Sequence, residues 1–249
     1  MTETLDLPSR KPTPDSSNQD LILTHVILSG LTPLIPIPFV DDLVKAYFQR
    51  RCIRKIAIRR NYKLTSEEAK TLGEDPDEGC LLGCLGKILL YPLKWVFRRL
   101  LFFLRWKKTL DRASHLYHRW YLADYALQEG LCAPVGPHSP EHVRKTIDKV
   151  CAQTRTSPVE HAFYATLNQS KSLIKSVART IQATVMGVKK DATNISQAVE
   201  AIADEQEHQL EPVTQQLHLE LDKVPKGHFE QLCARFLEQL SSQHDTVVK

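Results

Sequence analysis

Glycine is scarce in this chain: 9 of 249 residues. Neither G-x-x-x-x-G-K-[ST] nor G-x-G-x-x-G occurs, which excludes the common glycine-rich cradles for nucleotide phosphates. G-x-S-x-G and H-E-x-x-H are missing as well, so neither a hydrolase nucleophile elbow nor a helical zinc-protease site is encoded. No segment alternates apolar and polar residues with strand periodicity. Long glycine-poor stretches with 3–4 spacing instead predict helix throughout. Cysteine is sparse, with 6 residues at 52, 80, 84, 132, 151 and 233. The first 20 residues are polar and Pro/Ser-rich, unlike a secretory signal. Reduced thiols in a cytosol-facing chain are therefore expected, with no disulfide framework.

What is present is a cationic stripe over an apolar face between Tyr91 and Gly130. Lys94, Arg98, Arg105, Arg112 and Arg119 follow at steps of 4, 7, 7 and 7. On a helix they fall within about 60° of one another. Roughly opposite run Val96, Leu100, Phe103, Leu110, Tyr117 and Tyr121, flanked by Trp95, Trp106 and Trp120. An apolar face, a cationic face and boundary tryptophans are what a helix needs to lie in a membrane interface. Lys94, Arg98, Arg105, Arg112, Arg119, Trp95 and Trp106 are accordingly the expected lipid-binding residues.

The charge distribution agrees. Residues 1–40 carry net −2, 41–120 net +9 and 121–249 net −3. A basic middle between mildly acidic ends points to an anionic partner. Nucleic acid is the rival to lipid, but these cations sit on the most apolar helix of the chain, which suits a lipid interface better.

Four parts are expected: a disordered tail (1–19), a basic, apolar, membrane-associated helical region (20–129), a linker (130–138) and a helical bundle (139–245). Leu21 to Val40 is long enough to suggest a membrane span. Pro33, Pro36 and Pro38 interrupt it, leaving about 18 Å of helix. It is expected to be buried or to dip into a bilayer. Asp41 and Asp42 open a second helix reaching Arg60. Thr65 and Glu68 form a capping box. Cys80 to Leu93 is strongly apolar. The segments 21–40 and 80–104 thus bracket a charged stretch and read either as a partly inserted hairpin or as a soluble core. Beyond the linker, Ser139 caps a helix to about Gln153. Ser157-Pro158 opens a second helix, in which Leu167, Ile174, Ile181, Val188, Ile195 and Ile202 recur every seven residues. The pattern predicts some 50 residues of continuous helix, 158–211, ended by Pro212 and offered as the contact for a protein partner.

Candidate chemistry is thin. Asp111, His115 and His118 share a helix face, with His138, Glu141 and His142 across the linker as possible further ligands. They read more simply as polar residues beside Tyr117 and Trp120, and no metal is expected. Cys80 and Cys84 are candidates for acylation or for ordinary burial. The Asp41–Asp42 pair is explained by its helix start. No catalytic residue and no cofactor are expected.

The run Pro36-Ile-Pro38-Phe-Val-Asp41-Asp42, followed by Gln49 and Ile53-Arg-Lys-Ile-Ala57, resembles a pattern found in uncharacterised bacterial helical domains associated with membranes, some adjoined to GTPase domains. The Tyr-Gly pair of that pattern is missing here. The resemblance implies an all-helical, membrane-associated domain and adds no catalytic residue.

The expectation is an all-α protein: an apolar/basic helical hairpin region plus a long-helix bundle, on the cytoplasmic face of a membrane. It is expected to be non-enzymatic, binding anionic lipid and scaffolding a protein partner. The alternatives are a soluble all-helical adaptor and, behind it, a helical metal-dependent enzyme.

Overall fold

A computed structural model describes residues 16–35, 37, 40–74, 98–189 and 191–242. The fold is all-α. Ten α-helices and one 3-10 turn occur among the described residues, and the only β feature there is an isolated bridge between Cys132 and His138.

α1 (Ser16–Gly30) and the 3-10 turn Thr32–Leu34 come first. Every residue from Leu21 to Thr32 is buried. A helix apolar all round demands enclosure on all sides, and here the chain's own helices supply it. Of the two expectations for this segment, enclosure is the one seen over 21–35. Residues 16–19, expected within the disordered tail, are helical, and Asn18 is buried against Asp124. Pro33 falls at the start of the 3-10 turn, where its missing N–H is harmless. Gly30 lets α1 pass close to the fourth helix: a Cβ there would lie 3.2 Å from the Ala113 Cβ.

α2 (Val40–Arg59) carries Asp41 and Asp42 in its first turn and Arg59 in its last, each suited to the helix dipole. It ends in a Schellman motif. Asn61 takes the left-handed conformation at φ 55°, the Tyr62 N–H donates to the Ala57 carbonyl (2.7 Å), and the Asn61 N–H donates to that of Ile58 (3.0 Å). α3 (Ser66–Gly73) opens with the expected capping box of Thr65 and Glu68. It crosses α2 at Gly73, where a Cβ would meet the Gln49 carbonyl oxygen at 2.9 Å and Ile53 Cγ1 at 3.1 Å. Gly73→Ala is therefore expected to push α3 off α2 and destabilise the fold by about 1–3 kcal/mol. Urea unfolding checks this: the midpoint falls while the m-value stays put.

α4 (Arg98–Gln128) is about 47 Å long at 1.5 Å per residue. From Leu116 to Leu127 every residue is buried, so its C-terminal half lies in the centre of the molecule beside α1. It too ends in a Schellman motif, with Gly130 at φ 63°. The stretch 130–138 is a hydrogen-bonded turn: Ala133 N–H donates to the His138 carbonyl and Gly136 N–H to that of Cys132, both at 2.7 Å.

α5 (Pro140–Gln153) is capped by Ser139, whose hydroxyl accepts from the His142 N–H at 3.2 Å. α6 (Ser157–Gln169) starts one residue earlier than expected, with Thr156 as its N-cap. The predicted continuous helix over 158–211 is then corrected by three breaks. Ser170 separates α6 from α7 (Lys171–Met186). Gly187 closes α7, and Asp191, in extended conformation, caps α8 (Ala192–Gln209) by accepting from the Asn194 N–H at 2.9 Å. Leu210 ends α8, and Pro212 sits in the first turn of α9 (Glu211–Leu221), where proline is favoured. Pro212 thus begins a helix instead of ending one. α10 (Lys226–Ser242) closes the described fold.

Packing is continuous across the 130–138 turn. α1 touches both α2 and α9, α2 touches α8, and α4 touches both α5 and α6, so one apolar core runs through helices from both halves. No described helix is long and apolar enough to cross a membrane.

Candidate functional site

The expected lipid-binding residues separate when placed on this fold. Lys94 and Trp95 lie outside the described residues. Arg98 and Arg105 fall in the first turns of α4. Arg112 is part exposed. Arg119 and Trp106 are interior. Arg119 is 4 % exposed; its Nε lies 2.9 Å from Asp148 Oδ1 on α5, and its Nη2 donates to the Glu74 carbonyl at 3.3 Å. Trp106 is 3 % exposed; its indole N–H donates to Asn168 Oδ1 at 2.7 Å, and the Lys171 ammonium sits 5.0 Å from its ring centroid. The cationic periodicity is real, but helix α4 becomes enclosed along its length. A cation that far along must be paired with a carboxylate to be tolerated.

A second polar cluster has no signature in the local sequence. Arg51 on α2, nearly buried, meets three carboxylates of α8: Glu200 at 2.7 Å, Glu207 at 2.8 Å, and Asp204. Lys55 reaches Glu207 at 2.6 Å, and the Tyr47 hydroxyl donates to Glu200. Burial works against the Glu207 carboxylate, yet His25, Lys55 and Arg51 outweigh it and hold its pKa below the ordinary range. His25, fully buried on α1, lies 3.4 Å from Glu207, and burial lowers its pKa to about 4. Its Nδ1–H donates to the Leu21 carbonyl at 3.0 Å. Every carboxylate here is held by a cation, so the cluster joins α2 to α8 and presents no free base. A cleft of about 350 Å³ beside it is lined by Arg50, Arg54, Lys70, Ser196 and Glu200.

The proposed ligand face Asp111, His115, His118 is split as well. Asp111 and His115 point outward, while His118 is buried. The His118 Nδ1–H donates to the Ser114 carbonyl at 2.8 Å, which leaves Nε2 to accept from the His228 Nε2–H on α10 at 2.9 Å. Burial, with His228 and His115 nearby, lowers the His118 pKa to about 4. His138 and His142 stack on each other, with ring centroids 5.3 Å apart. Among the described residues no group of three or more His, Cys, Asp or Glu is gathered as a metal site. Cys52, Cys132, Cys151 and Cys233 are buried free thiols. Burial pushes Cys132 up to about 11 and Cys151 and Cys233 to about 12, so these thiols are poor nucleophiles. Cys80 and Cys84 lie outside the described residues.

Set against protein-family models, curated proteins and solved structures, the chain has no match in any of the three.

Proposed function

We propose a non-enzymatic, membrane-associated helical protein that holds an anionic lipid surface through its 80–105 stretch and presents its helical body to a protein partner. One observation carries the reading. From Gly79 to Leu110 the sequence has no Asp or Glu and carries Lys87, Lys94, Arg98, Arg99, Arg105, Lys107 and Lys108 among large apolar residues. A charged, apolar stretch of that kind favours an anionic bilayer surface over water. In sequence it continues into α4, whose far half lies in the core. The resemblance of 36–57 to membrane-associated helical domains supports the same reading, on the cytoplasmic face. Lys94, Arg98, Arg105 and Arg112 remain in the proposed contact; Arg119 and Trp106 serve the interior. The partner contact is assigned to the 158–211 region, where Tyr164 is 59 % exposed.

The enclosure of residues 21–32 favours a second reading, a soluble helical adaptor in which all apolar helices are core. Vesicle sedimentation separates the two. Lys94→Gln/Arg98→Gln/Arg105→Gln should weaken binding to phosphatidylserine-containing vesicles roughly 100-fold, at about 1 kcal/mol per cation. Wild-type sedimentation by that variant, or no sedimentation by the wild-type chain, favours the adaptor.

A further inference from the structure

We propose that the outward flank of α7 is a second contact for the same anionic lipid surface, adjoining the start of α4. The inference rests on the lipid reading above and adds to it a surface built by a different part of the chain.

α7 buries Ile174, Val177, Ala178, Ile181 and Val185. Lys171, Lys175 and Arg179 follow at i, i+4 and i+8, so they lie within about 80° of one another along one flank of the helix. Met186, seven residues beyond Arg179, falls on that flank and is 59 % exposed. Arg179 is exposed, Lys171 and Lys175 are part exposed, and Lys189 is exposed just past the helix end. No acidic residue occurs from His161 to Lys190.

The fold then joins this flank to the other acid-free stretch. Lys171 lies over the ring of Trp106, and the Trp106 indole N–H donates to Asn168 at the end of α6. Trp106 stands at the near end of α4, next to exposed Lys107 and to the 79–110 stretch that has no Asp or Glu. Two cationic stretches some 60 residues apart in sequence thus meet through one indole. Three acidic residues of α8, Glu200, Asp204 and Glu207, are turned toward Arg51 and Lys55 of α2. The molecule therefore has a cationic edge beside the proposed anchor, as a protein resting on anionic headgroups requires. An exposed methionine among cations fits a headgroup boundary. The nucleic-acid alternative needs exposed aromatics for base stacking, and Trp106, on which Lys171 packs, is covered.

The test compares wild type, Lys175→Gln/Arg179→Gln/Lys189→Gln and the 80–105 variant above on vesicles with and without phosphatidylserine. Lys171 is left in place because it packs on Trp106. The α7 variant should keep the wild-type circular dichroism and melting temperature. It should bind phosphatidylserine vesicles roughly 100-fold more weakly, at about 5-fold per cation, and the 80–105 variant should be weakened too. If the α7 variant binds as wild type while the 80–105 variant is weakened, the α7 inference is overturned and the lipid reading stands. If wild type binds neither vesicle, the lipid reading itself fails. If wild type is retained on polyuridylic acid but not on vesicles, and the α7 variant loses that retention, the flank belongs to a nucleic-acid contact and the lipid assignment is overturned.

Discussion

Asp124→Ala should lower the unfolding free energy by about 3–5 kcal/mol, the cost of leaving one member of a buried ion pair alone. Asp124 is 0 % exposed, on the enclosed half of α4. Arg60, just past the end of α2, grips it with two bonds, Nε to Oδ1 at 2.8 Å and Nη2 to Oδ2 at 2.7 Å. The Asn18 amide on the first turn of α1 donates to Oδ1 at 2.9 Å. One carboxylate thus ties three helices at a single point. Removing it takes both of these bonds from a guanidinium that has little access to water, and it takes this acceptor from the Asn18 amide. Against a typical total of about 5–15 kcal/mol, that loss is a large fraction of the stability. The paired change Arg60→Met/Asp124→Leu should cost far less than the sum of the single changes, because the double variant buries no unpaired charge. A double-mutant cycle in urea measures this. An Asp124→Ala protein within about 1 kcal/mol of wild type would mean that water reaches the pair and that the carboxylate does not hold the three helices together.

The local features of the sequence carry over well, and the long-range ones do not. The Thr65–Glu68 capping box, the Ser139 cap and the acidic start of α2 depend on residues a few positions apart, and all three are present. The seven-residue seam holds in part: Leu167, Ile174, Ile181 and Ile195 are buried, Ile202 is partly buried, and Val188 is partly buried beyond the end of α7. What that seam conceals is its breaks. Core-facing residues keep their spacing through a helical turn, so periodicity cannot distinguish one long helix from several short ones. Asp191 lies within that run, and it is an N-cap. The stripe on α4 fails at Arg119 for a related reason: a helical wheel records where a side chain points and says nothing of which helix arrives there. Asp148, its partner, lies on another helix beyond the 130–138 turn. Arg51 and its α8 carboxylates are about 150 residues apart, and His118 and His228 are 110 apart. Only the folded chain brings them together.

Mild acid should weaken the fold well before its carboxylates titrate. His25 and His118 have folded pKa values near 4, against an ordinary value of 6.5. Above pH 6.5 both are neutral in either state and contribute no pH dependence. Between 6.5 and 4 the unfolded chain takes up two protons that the folded chain refuses, so stability falls as pH falls. At pH 5 the loss is about 2 kcal/mol per histidine, rising to about 3 kcal/mol each near pH 4. For His25, burial is the dominant cause; Glu207 opposes it, and Lys55 and Arg51 reinforce it. For His118, burial is again first, its Ser114 bond opposes, and the neighbouring His228 and His115 add to the lowering. A proton on His118 Nε2 would also face the His228 N–H head on. Glu200 and Glu207 have lowered pKa values, so their contribution is lost only below the ordinary carboxylate range. The drop from pH 7.5 to pH 5 therefore belongs chiefly to the histidines. Urea unfolding at those two pH values should show it, and His118→Gln should remove a large part of the difference even if the variant is less stable at both. A wild-type midpoint that does not move over this range would show that both imidazoles can be charged in place. In that case the interior around α1 and α4 is wetter than its packing implies.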